Sequence, residues 1–341
     1  MKRRLVVDLA AARAAWRIPT GAVQQIRGAL PEWDVLLVEA PANSDGDGGG
    51  GSSAAIAAAR GAEVYLGYGL PNGVMEASQG SLKWVHTATA GVSPALGALK
   101  GSGVTVTNSA GIHAEPMADW VLGAIAYFAR GFDHAVRAQA RSEWTKDAFT
   151  DGSHIFPELS DLRLGILGLG GIGTAVARRG LALGMKVAGL RRHPEQGGPT
   201  GVRWVGAFDV LDQLASESDV LAITVPRTAE TAGVVGERVL GRLPRGAVVV
   251  NVSRGGILNE DALLKALDGG RLRGAALDVF ATEPLPASHP LWRHPRVLIT
   301  PHVSAVTARF WDREMALILE NVRRYLGGET LANVVDLEAG Y

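Results

Sequence analysis

Three side chains that could together act on a carbonyl group each follow an apolar run of the sequence: Arg254, Glu283 and His302. An arginine is a fixed, planar cation for a carboxylate, a histidine exchanges protons near neutral pH, and a carboxylate can orient and tune that histidine. If the runs are strands of one parallel sheet, the three side chains lie at its carboxyl edge, where ligands bind in such folds. The pattern predicts a hydride-transfer site that protonates the carbonyl oxygen of a keto acid. The alternative is that the arginine and the glutamate are solvated charges, and that the histidine is one of eight without a role.

A glycine pattern typical of dinucleotide binding lies at 168–173, between the apolar run 164–167 and a predicted helix. Gly168 would permit the tight turn, Gly170 would let the backbone approach a pyrophosphate, and Gly173 would let the helix pack close to the strand. The phosphates would lie on the free N–H groups at the helix N-terminus. A bare turn is the alternative, because the chain has 44 glycines. The predicted cofactor-binding residues of this loop are Gly168, Gly170, Gly171, Ile172 and Gly173.

The predicted strand after this motif, 185–190, ends in two arginines, Arg191 and Arg192. An acidic residue at this strand end would hydrogen-bond the ribose hydroxyls of NAD, but the strand runs into arginine instead. Two guanidinium groups are suited to the 2′-phosphate of NADP. We therefore expect NADP(H) to be favoured over NAD(H). The alternative is that both arginines are solvated surface charges.

The elements that must position these residues alternate between strands and helices, which predicts a parallel, doubly wound α/β sheet of the Rossmann type. Helices are predicted between the apolar runs at 172–183, 207–217 and 259–268, and Asn259 is a candidate N-cap of the last one. The predicted strands lie at 162–168, 185–190, 219–225, 246–251, 274–279 and 296–300.

The first 109 residues show the same alternation more weakly and predict a second, smaller α/β domain. A long helical pattern at 113–142 is the expected crossing into the cofactor domain. A C-terminal helix from about residue 307 is expected to pack on the first domain, which is then discontinuous. The predicted domains are a substrate domain of 1–109 and 305–341 and an NAD(P)-binding domain of 110–304.

Composition narrows the range of functions. Lys plus Arg and Asp plus Glu number 34 each, so the net charge of zero gives no reason to expect a nucleic-acid or membrane partner. The chain has no cysteine, which excludes disulfides, cysteine-ligated zinc and thiol catalysis and fits a cytoplasmic protein. We identify no metal site and no apolar stretch long enough for a transmembrane helix. The glycine-rich segment 43–53 predicts a flexible surface loop far from the site.

The sequence resembles the D-isomer-specific 2-hydroxyacid dehydrogenase family, which includes glyoxylate/hydroxypyruvate reductases, from about Trp84 to Gly328. Four motifs carry the resemblance, and they are specific in combination: GLGGIG at 168–173, VNVSRGGILNEDAL at 250–263, LDVFATEPLP at 277–286 and TPHVS at 300–304.

The resemblance implies a flavodoxin-like substrate domain, a Rossmann cofactor domain and a cleft between them. It implies that Arg254 grips the carboxylate and carbonyl of a small 2-keto or D-2-hydroxy acid. It makes His302 the general acid in reduction and the general base in oxidation. Glu283 would hydrogen-bond His302, hold its orientation and stabilise its protonated form.

Further roles are implied by the same resemblance. The backbone N–H groups of Ala90 and Gly91 would help to hold the carboxylate, and Asp278 would contact the nicotinamide amide. Val225 and Pro226 would lie beside the adenine. Family members are typically homodimers joined through the cofactor domain.

The loop after Gly91 continues as Val92-Ser93-Pro94, where family members often carry an aspartate, and this departure leaves the substrate open. Two alternatives remain at this point. One is a nucleotide-sensing corepressor of the same fold, and the other is a related enzyme whose substrate is not a simple keto acid.

Overall fold

Short runs rich in leucine and β-branched residues form two fully parallel sheets, one in each of the two units into which the chain divides. Unit 1 comprises Met1–His113 and Val306–Tyr341, and unit 2 comprises Ala114–Ala305. The predicted α/β class, with a flavodoxin-like sheet and a Rossmann sheet, is confirmed. The structure, a computed structural model, describes residues 2–39, 52–91, 99–152 and 156–337.

Unit 1 is built on five strands in the order β2-β1-β3-β4-β5, which is the flavodoxin-like order. The strands are β1 (Arg4–Asp8), β2 (Asp34–Leu37), β3 (Val64–Gly67), β4 (Trp84–Thr87) and β5 (Thr105–Asn108). Its described helices are α1 (Thr20–Ala29), α2 (Ser53–Ala58), α3 (Val74–Ser78) and α11 (Phe310–Gly327). Apolar side chains of α1 and α11 pack on one face of the sheet, and those of α2 and α3 pack on the other.

A buried polar network joins α11 to the sheet of unit 1. His86 of β4 and Glu314 of α11 are both fully buried, with 2.9 Å between His86 Nε2 and Glu314 Oε1. Ser109 Oγ donates to the same oxygen at 3.0 Å. Thr107 Oγ1 lies 2.8 Å from His86 Nδ1 and accepts from Trp84 Nε1 at 2.8 Å. Loss of one partner would leave a buried polar group unpaired, which is costly.

Unit 2 is built on seven parallel strands in the order β12-β11-β10-β9-β6-β7-β8. The strands are β6 (Arg163–Leu167), β7 (Lys186–Leu190), β8 (Val205–Gly206), β9 (Val220–Ile223), β10 (Ala247–Asn251), β11 (Leu272–Leu277) and β12 (Val297–Ile299). The described helices of this unit are α4 (Ala114–Ala129), α5 (Phe132–Ala140), α6 (Asp147–Thr150), α7 (Gly171–Ala182), α8 (Leu211–Ser216), α9 (Glu237–Arg242) and α10 (Glu260–Asp268). One buried cluster packs α4 and α7 on one face of the sheet, and a second packs α8, α9 and α10 on the other.

The strand order of unit 2 reverses direction between β6 and β9, which makes this the topological switch point of the sheet. Because all the strands are parallel, the loops that follow β6, β10, β11 and β12 leave the sheet at one edge. In open sheets of this kind, that edge at the switch point is where ligands bind.

The sequence predicted one long helical segment at 113–142, but the structure has two helices there, α4 and α5. They are separated at Gly131, whose φ of +70° ends the helical path. A Cβ at this position would lie 2.4 Å from Phe156 Cε1, so the close packing of an aromatic ring also requires glycine.

Residues 43–51 of the predicted surface loop lie outside the described residues, as do Val92, Ser93 and Pro94. Within the described part of the chain, no helix combines the length and the apolar character needed to cross a bilayer.

Candidate active site

The loops after β11 and β12 bring Glu283 and His302 together. His302 Nδ1 lies 2.8 Å from Glu283 Oε2, and the backbone N–H of Phe280 donates to Glu283 Oε1 at 2.8 Å. Burial opposes ionisation of Glu283, but these two hydrogen bonds and the nearby charges of His302 and Arg254 outweigh it and lower the pKa of Glu283. Glu283 is therefore a carboxylate near neutral pH, and it faces the imidazole through Nδ1.

The imidazole of His302 is half-exposed, with 45% of its side chain accessible. Since Glu283 occupies Nδ1, Nε2 is the ring nitrogen that is left for proton exchange, and none of the described residues makes a hydrogen bond with it. The backbone of His302 has a φ of +55°, which is uncommon for a residue with a side chain and costs on the order of 1 kcal/mol. The surrounding loop must therefore hold this conformation.

Arg254 lies in the loop after β10. Its Nη1 donates to the carbonyl oxygen of Ser253 at 2.7 Å, and it makes no ion pair with a carboxylate among the described residues. The residue is exposed, yet the protein that surrounds it lowers the pKa of Arg254, and the charge of Glu283 acts in the opposite direction. A guanidinium retains its proton under these conditions, so Arg254 is a cation available to an anionic ligand.

Two residues for which the sequence predicted no role in the site, Gly255 and Glu260, fix the loops of Arg254 and Glu283 against each other. A Cβ at Gly255 would lie 1.7 Å from the carbonyl oxygen of Phe280, so the two backbones approach as closely as only glycine allows. Glu260, in the first turn of α10, accepts a hydrogen bond from the N–H of Ala281 at 2.7 Å. The available sequence signals were the Gly-Gly pair after Arg254 and the acidic first turn of α10.

Asp278 is fully buried directly after β11, and its carboxylate holds the loop that carries His302. Oδ1 accepts from Thr300 Oγ1 and from the N–H of Val303 at 2.8 Å, and Oδ2 accepts from the N–H of Ser304 at 2.9 Å. This role was not predicted from the sequence. The predicted contact of Asp278 with the nicotinamide amide stays a prediction.

Three of the four glycines in the motif after β6 have the local environments that a pyrophosphate loop requires. Gly168 has a φ of +110°, and a Cβ there would lie 2.7 Å from Val225 Cγ1. A Cβ at Gly173 would lie 2.0 Å from the carbonyl oxygen of Gly168, so α7 packs tightly on the loop. A Cβ at Gly170 would meet nothing within 4 Å, which leaves room for a phosphate beside the N-terminus of α7. Gly171 and Ile172 form the first turn of this helix.

The predicted adenosine-side residues lie at the same edge of the sheet. Arg191 follows β7, and its guanidinium donates to the carbonyl oxygen of Gly197 at 2.8 Å and to the side chain of Gln196. Arg192 is exposed. Val225 is buried in the core of unit 2, whereas the adjacent Pro226 is exposed.

The predicted carboxylate loop belongs to unit 1. The carbonyl oxygens of Ala90 and Gly91 accept hydrogen bonds from Asn108 Nδ2 at 3.0 Å and from Thr89 Oγ1 at 2.8 Å. These bonds fix the turn, while the predicted contact of its N–H groups with a substrate stays a prediction. His113, near the junction of the two units in the chain, is buried and stacks on Phe310 with 5.5 Å between ring centroids.

The family model of the D-isomer specific 2-hydroxyacid dehydrogenase NAD-binding domain matches residues 122–304 of this chain. A glyoxylate/hydroxypyruvate reductase A of Serratia proteamaculans (strain 568) is 37% identical over 232 residues, which cover 67% of this chain and 69% of the relative.

Two solved structures are similar over all of this chain and all of their own chains. One is a D-isomer specific 2-hydroxyacid dehydrogenase from Xanthobacter autotrophicus Py2 in complex with NADPH and MES, with a TM-score of 0.76 and 30% identity. The other is an NADPH-dependent glyoxylate/hydroxypyruvate reductase from Sinorhizobium meliloti in complex with NADP and sulfate, with a TM-score of 0.75 and 26% identity.

The chain belongs to the D-isomer specific 2-hydroxyacid dehydrogenase family. It is an NAD(P)-dependent oxidoreductase with a Rossmann cofactor domain, and it acts on 2-keto and D-2-hydroxy acids as a class. The comparisons support this enzyme function and not the corepressor alternative.

Proposed function

We propose that the protein reduces a small 2-keto acid, of the glyoxylate or hydroxypyruvate kind, with NADPH as the preferred cofactor and His302 as the proton donor. The observation that carries the proposal is the 2.8 Å pair of His302 and Glu283 at the sheet edge that also carries Arg254. A carboxylate-bound imidazole beside an arginine that pairs with no carboxylate among the described residues suits a substrate with a carbonyl next to a carboxylate.

The residues divide the work of the reaction. Bound NADPH supplies a hydride to C2 of the keto acid. Arg254 holds the substrate carboxylate through its planar fork and polarises the carbonyl. The Nε2–H of His302 gives its proton to the carbonyl oxygen as the C–O double bond becomes a single bond, and Glu283 stabilises the imidazolium before the transfer. In the opposite direction, neutral His302 takes the hydroxyl proton.

In this proposal the cofactor binds to unit 2, and backbone N–H groups of unit 1 help to hold the substrate carboxylate. The open space at Gly170 and the free N–H groups of α7 fit a pyrophosphate. Asp278, Val225 and Pro226 are the proposed contacts of the nicotinamide and adenine ends. Ala90 and Gly91 are the proposed substrate contacts of unit 1.

NADPH is preferred in this proposal because two arginines follow β7 where an NAD enzyme has an acid. Two similar solved structures carry NADPH or NADP. In the free protein the guanidinium of Arg191 already has partners in Gln196 and Gly197, so a 2′-phosphate must offer it stronger, charge-assisted bonds.

The test is a steady-state assay of glyoxylate, hydroxypyruvate, pyruvate and phenylpyruvate with NADPH, in the wild type and in His302→Ala. We expect the highest kcat/KM for glyoxylate or hydroxypyruvate, and a fall in kcat of about 10²–10⁴ in the variant. Binding of NADPH, followed by fluorescence, should not change. A variant within about threefold of wild type would remove His302 from the role, and a preference for phenylpyruvate would overturn the substrate assignment.

We also propose that the protein is a cytoplasmic homodimer joined through unit 2. Four exposed large apolar side chains lie within one short stretch of that unit: Phe132, Val136, Trp144 and Phe149. Exposed apolar side chains gathered in one segment are typical of a protein interface.

A further inference from the structure

We propose that Asp278 is a positioning residue for His302: its buried carboxylate fixes the loop at 300–304 so that the imidazole is held in its working orientation. The proposal rests on the proposed function, in which His302 is the proton donor. It assigns to Asp278 a role in addition to the nicotinamide contact expected from the family.

The hydrogen bonds that Asp278 accepts come from residues on both sides of His302 in the sequence. Before it, Thr300 Oγ1 donates to Oδ1. After it, the N–H groups of Val303 and Ser304 donate to Oδ1 and Oδ2 at 2.8 and 2.9 Å. The N–H of His302 itself donates to the backbone carbonyl oxygen of Asp278 at 2.8 Å. Asp278, directly after β11, therefore accepts all four of these hydrogen bonds.

The backbone of His302 needs such support because it is left-handed, with a φ of +55°. A residue with a bulky side chain adopts this conformation only where the surrounding structure determines it. Asp278 is fully buried and cannot exchange these bonds for bonds to water. The loop therefore keeps its path only while the carboxylate accepts all of its donors.

The chemistry of the acceptor explains why an aspartate is required. A carboxylate is acceptor-only and has lone pairs for three donors, whereas an asparagine amide replaces one oxygen with an NH₂ group. In Asp278→Asn, that NH₂ would face either the N–H of Ser304 or the donors from Thr300 and Val303. The substitution keeps the size of the side chain and breaks part of the network.

The experiment compares Asp278→Asn with Asp219→Asn, a matched control at the opposite edge of the same sheet. Asp219 also accepts a backbone N–H, from Arg163 at 2.9 Å, and pairs with the Arg163 guanidinium. We expect Asp278→Asn to lower kcat for hydroxypyruvate reduction by about 10²-fold, the cost of a misplaced catalytic group. The control should keep wild-type kcat even if its melting temperature falls.

A cofactor analogue separates the positioning role from a contact with the nicotinamide amide. In 3-acetylpyridine adenine dinucleotide phosphate, a methyl ketone replaces the carboxamide. For D-glycerate oxidation, we expect Asp278→Asn to cause the same fold loss with this analogue as with NADP⁺. A loss seen with NADP⁺ and absent with the analogue would assign Asp278 to the amide alone and overturn the proposal.

Amide hydrogen exchange gives a readout that is independent of activity. The N–H groups of Val303 and Ser304 should exchange faster in Asp278→Asn and at the wild-type rate in Asp219→Asn. Unchanged exchange, or a kcat within about threefold of wild type, would contradict the positioning role. An active His302→Ala variant would instead refute the proposed function, whatever Asp278→Asn does.

A second variant keeps the proposal testable if Asp278→Asn does not fold. Thr300→Val keeps the shape of the side chain and the carboxylate of Asp278 but removes one of the donors. We expect a loss in kcat of the same sign and of about tenfold or less, with little change in KM for the cofactor. A kcat equal to wild type in this variant would then count against the proposal.

Discussion

At the scale of single residues, the site combines one anion, one exchangeable proton and one cation within a short distance of the sheet edge. Glu283 is ionised because hydrogen bonds from His302 and from the N–H of Phe280 overcome its partial burial. His302 keeps Nε2 for proton exchange, because Nδ1 is bonded to Glu283. Arg254 remains without a carboxylate partner among the described residues, which keeps its charge available for a substrate.

The charge of Glu283 predicts how keto-acid reduction depends on pH. The pKa of Glu283 is lowered, so its charge is present above that value and is lost only in acid. This charge stabilises the imidazolium that reduction requires, so kcat/KM for keto-acid reduction should fall as the pH rises and the imidazolium loses its proton. Glu283→Gln removes the charge and should move this fall to lower pH.

The measurement is the pH profile of kcat/KM for hydroxypyruvate between pH 5 and about 9, a range that covers titration of an imidazole. Glu237→Gln, at an exposed glutamate paired with Lys265 on the same unit, is the matched control and should leave the profile in place. If the pH profile does not move in Glu283→Gln, the carboxylate does not stabilise the imidazolium and Glu283 has another function.

At the scale of elements, the positions of the longer buried strands along the chain were readable from the sequence, because each of them is an apolar run bounded by turn residues. The site could then be predicted as well, because the loops after parallel strands bring Arg254, Glu283 and His302 to one edge of the sheet. The left-handed backbone of His302 and the bonds of Asp278 were not readable, because they depend on contacts between segments far apart in the chain. Gly131 is another such case, since the apolar pattern continues across it while the ring of Phe156 requires a break.

The turn after β7 carries the prediction on cofactor choice. An arginine fork on a 2′-phosphate contributes roughly 1.5–3 kcal/mol, or about 10- to 100-fold in affinity. NADPH should therefore have the lower KM, with a preference that shrinks as salt increases. Arg191→Asp should reverse the preference, because a carboxylate repels the phosphate and accepts from the ribose hydroxyls.

The assay is kcat/KM for NADPH and NADH with hydroxypyruvate as the second substrate. Arg245→Asp provides the control, because Arg245 is exposed and precedes β10, at the opposite edge of the sheet. Equal or better efficiency with NADH in the wild type would mean that both arginines of the turn are solvated surface charges without a role in cofactor choice.

At the scale of the whole molecule, the exposed apolar side chains of unit 2 are unevenly distributed. Trp144 is 94% exposed, and Phe132 and Val136 of α5 are each 52% exposed. Leaving the indole of Trp144 in water costs free energy in proportion to the apolar area that it exposes. A second copy of the chain is the partner that we expect to cover this surface.

The prediction is that the wild type elutes as a dimer in size-exclusion chromatography with light scattering, and that Trp144→Asp shifts it toward the monomer mass. Leu183→Asp changes an equally apolar, 45% exposed side chain outside this stretch and should remain dimeric. A monomeric wild type, or a fully dimeric Trp144→Asp, would disprove the assigned interface.

The return of the chain to unit 1 has a consequence for synthesis on the ribosome. Unit 2 is one continuous stretch, so all of its residues are available once the chain has grown to Ala305. The core of unit 1, by contrast, includes Met315, Ile318 and Val322 of α11, which pack with residues of β1, on the other side of unit 2 in the chain. Because α1 covers only part of this face, the part that α11 covers stays exposed while unit 2, which lies between β1 and α11 in the chain, is synthesised.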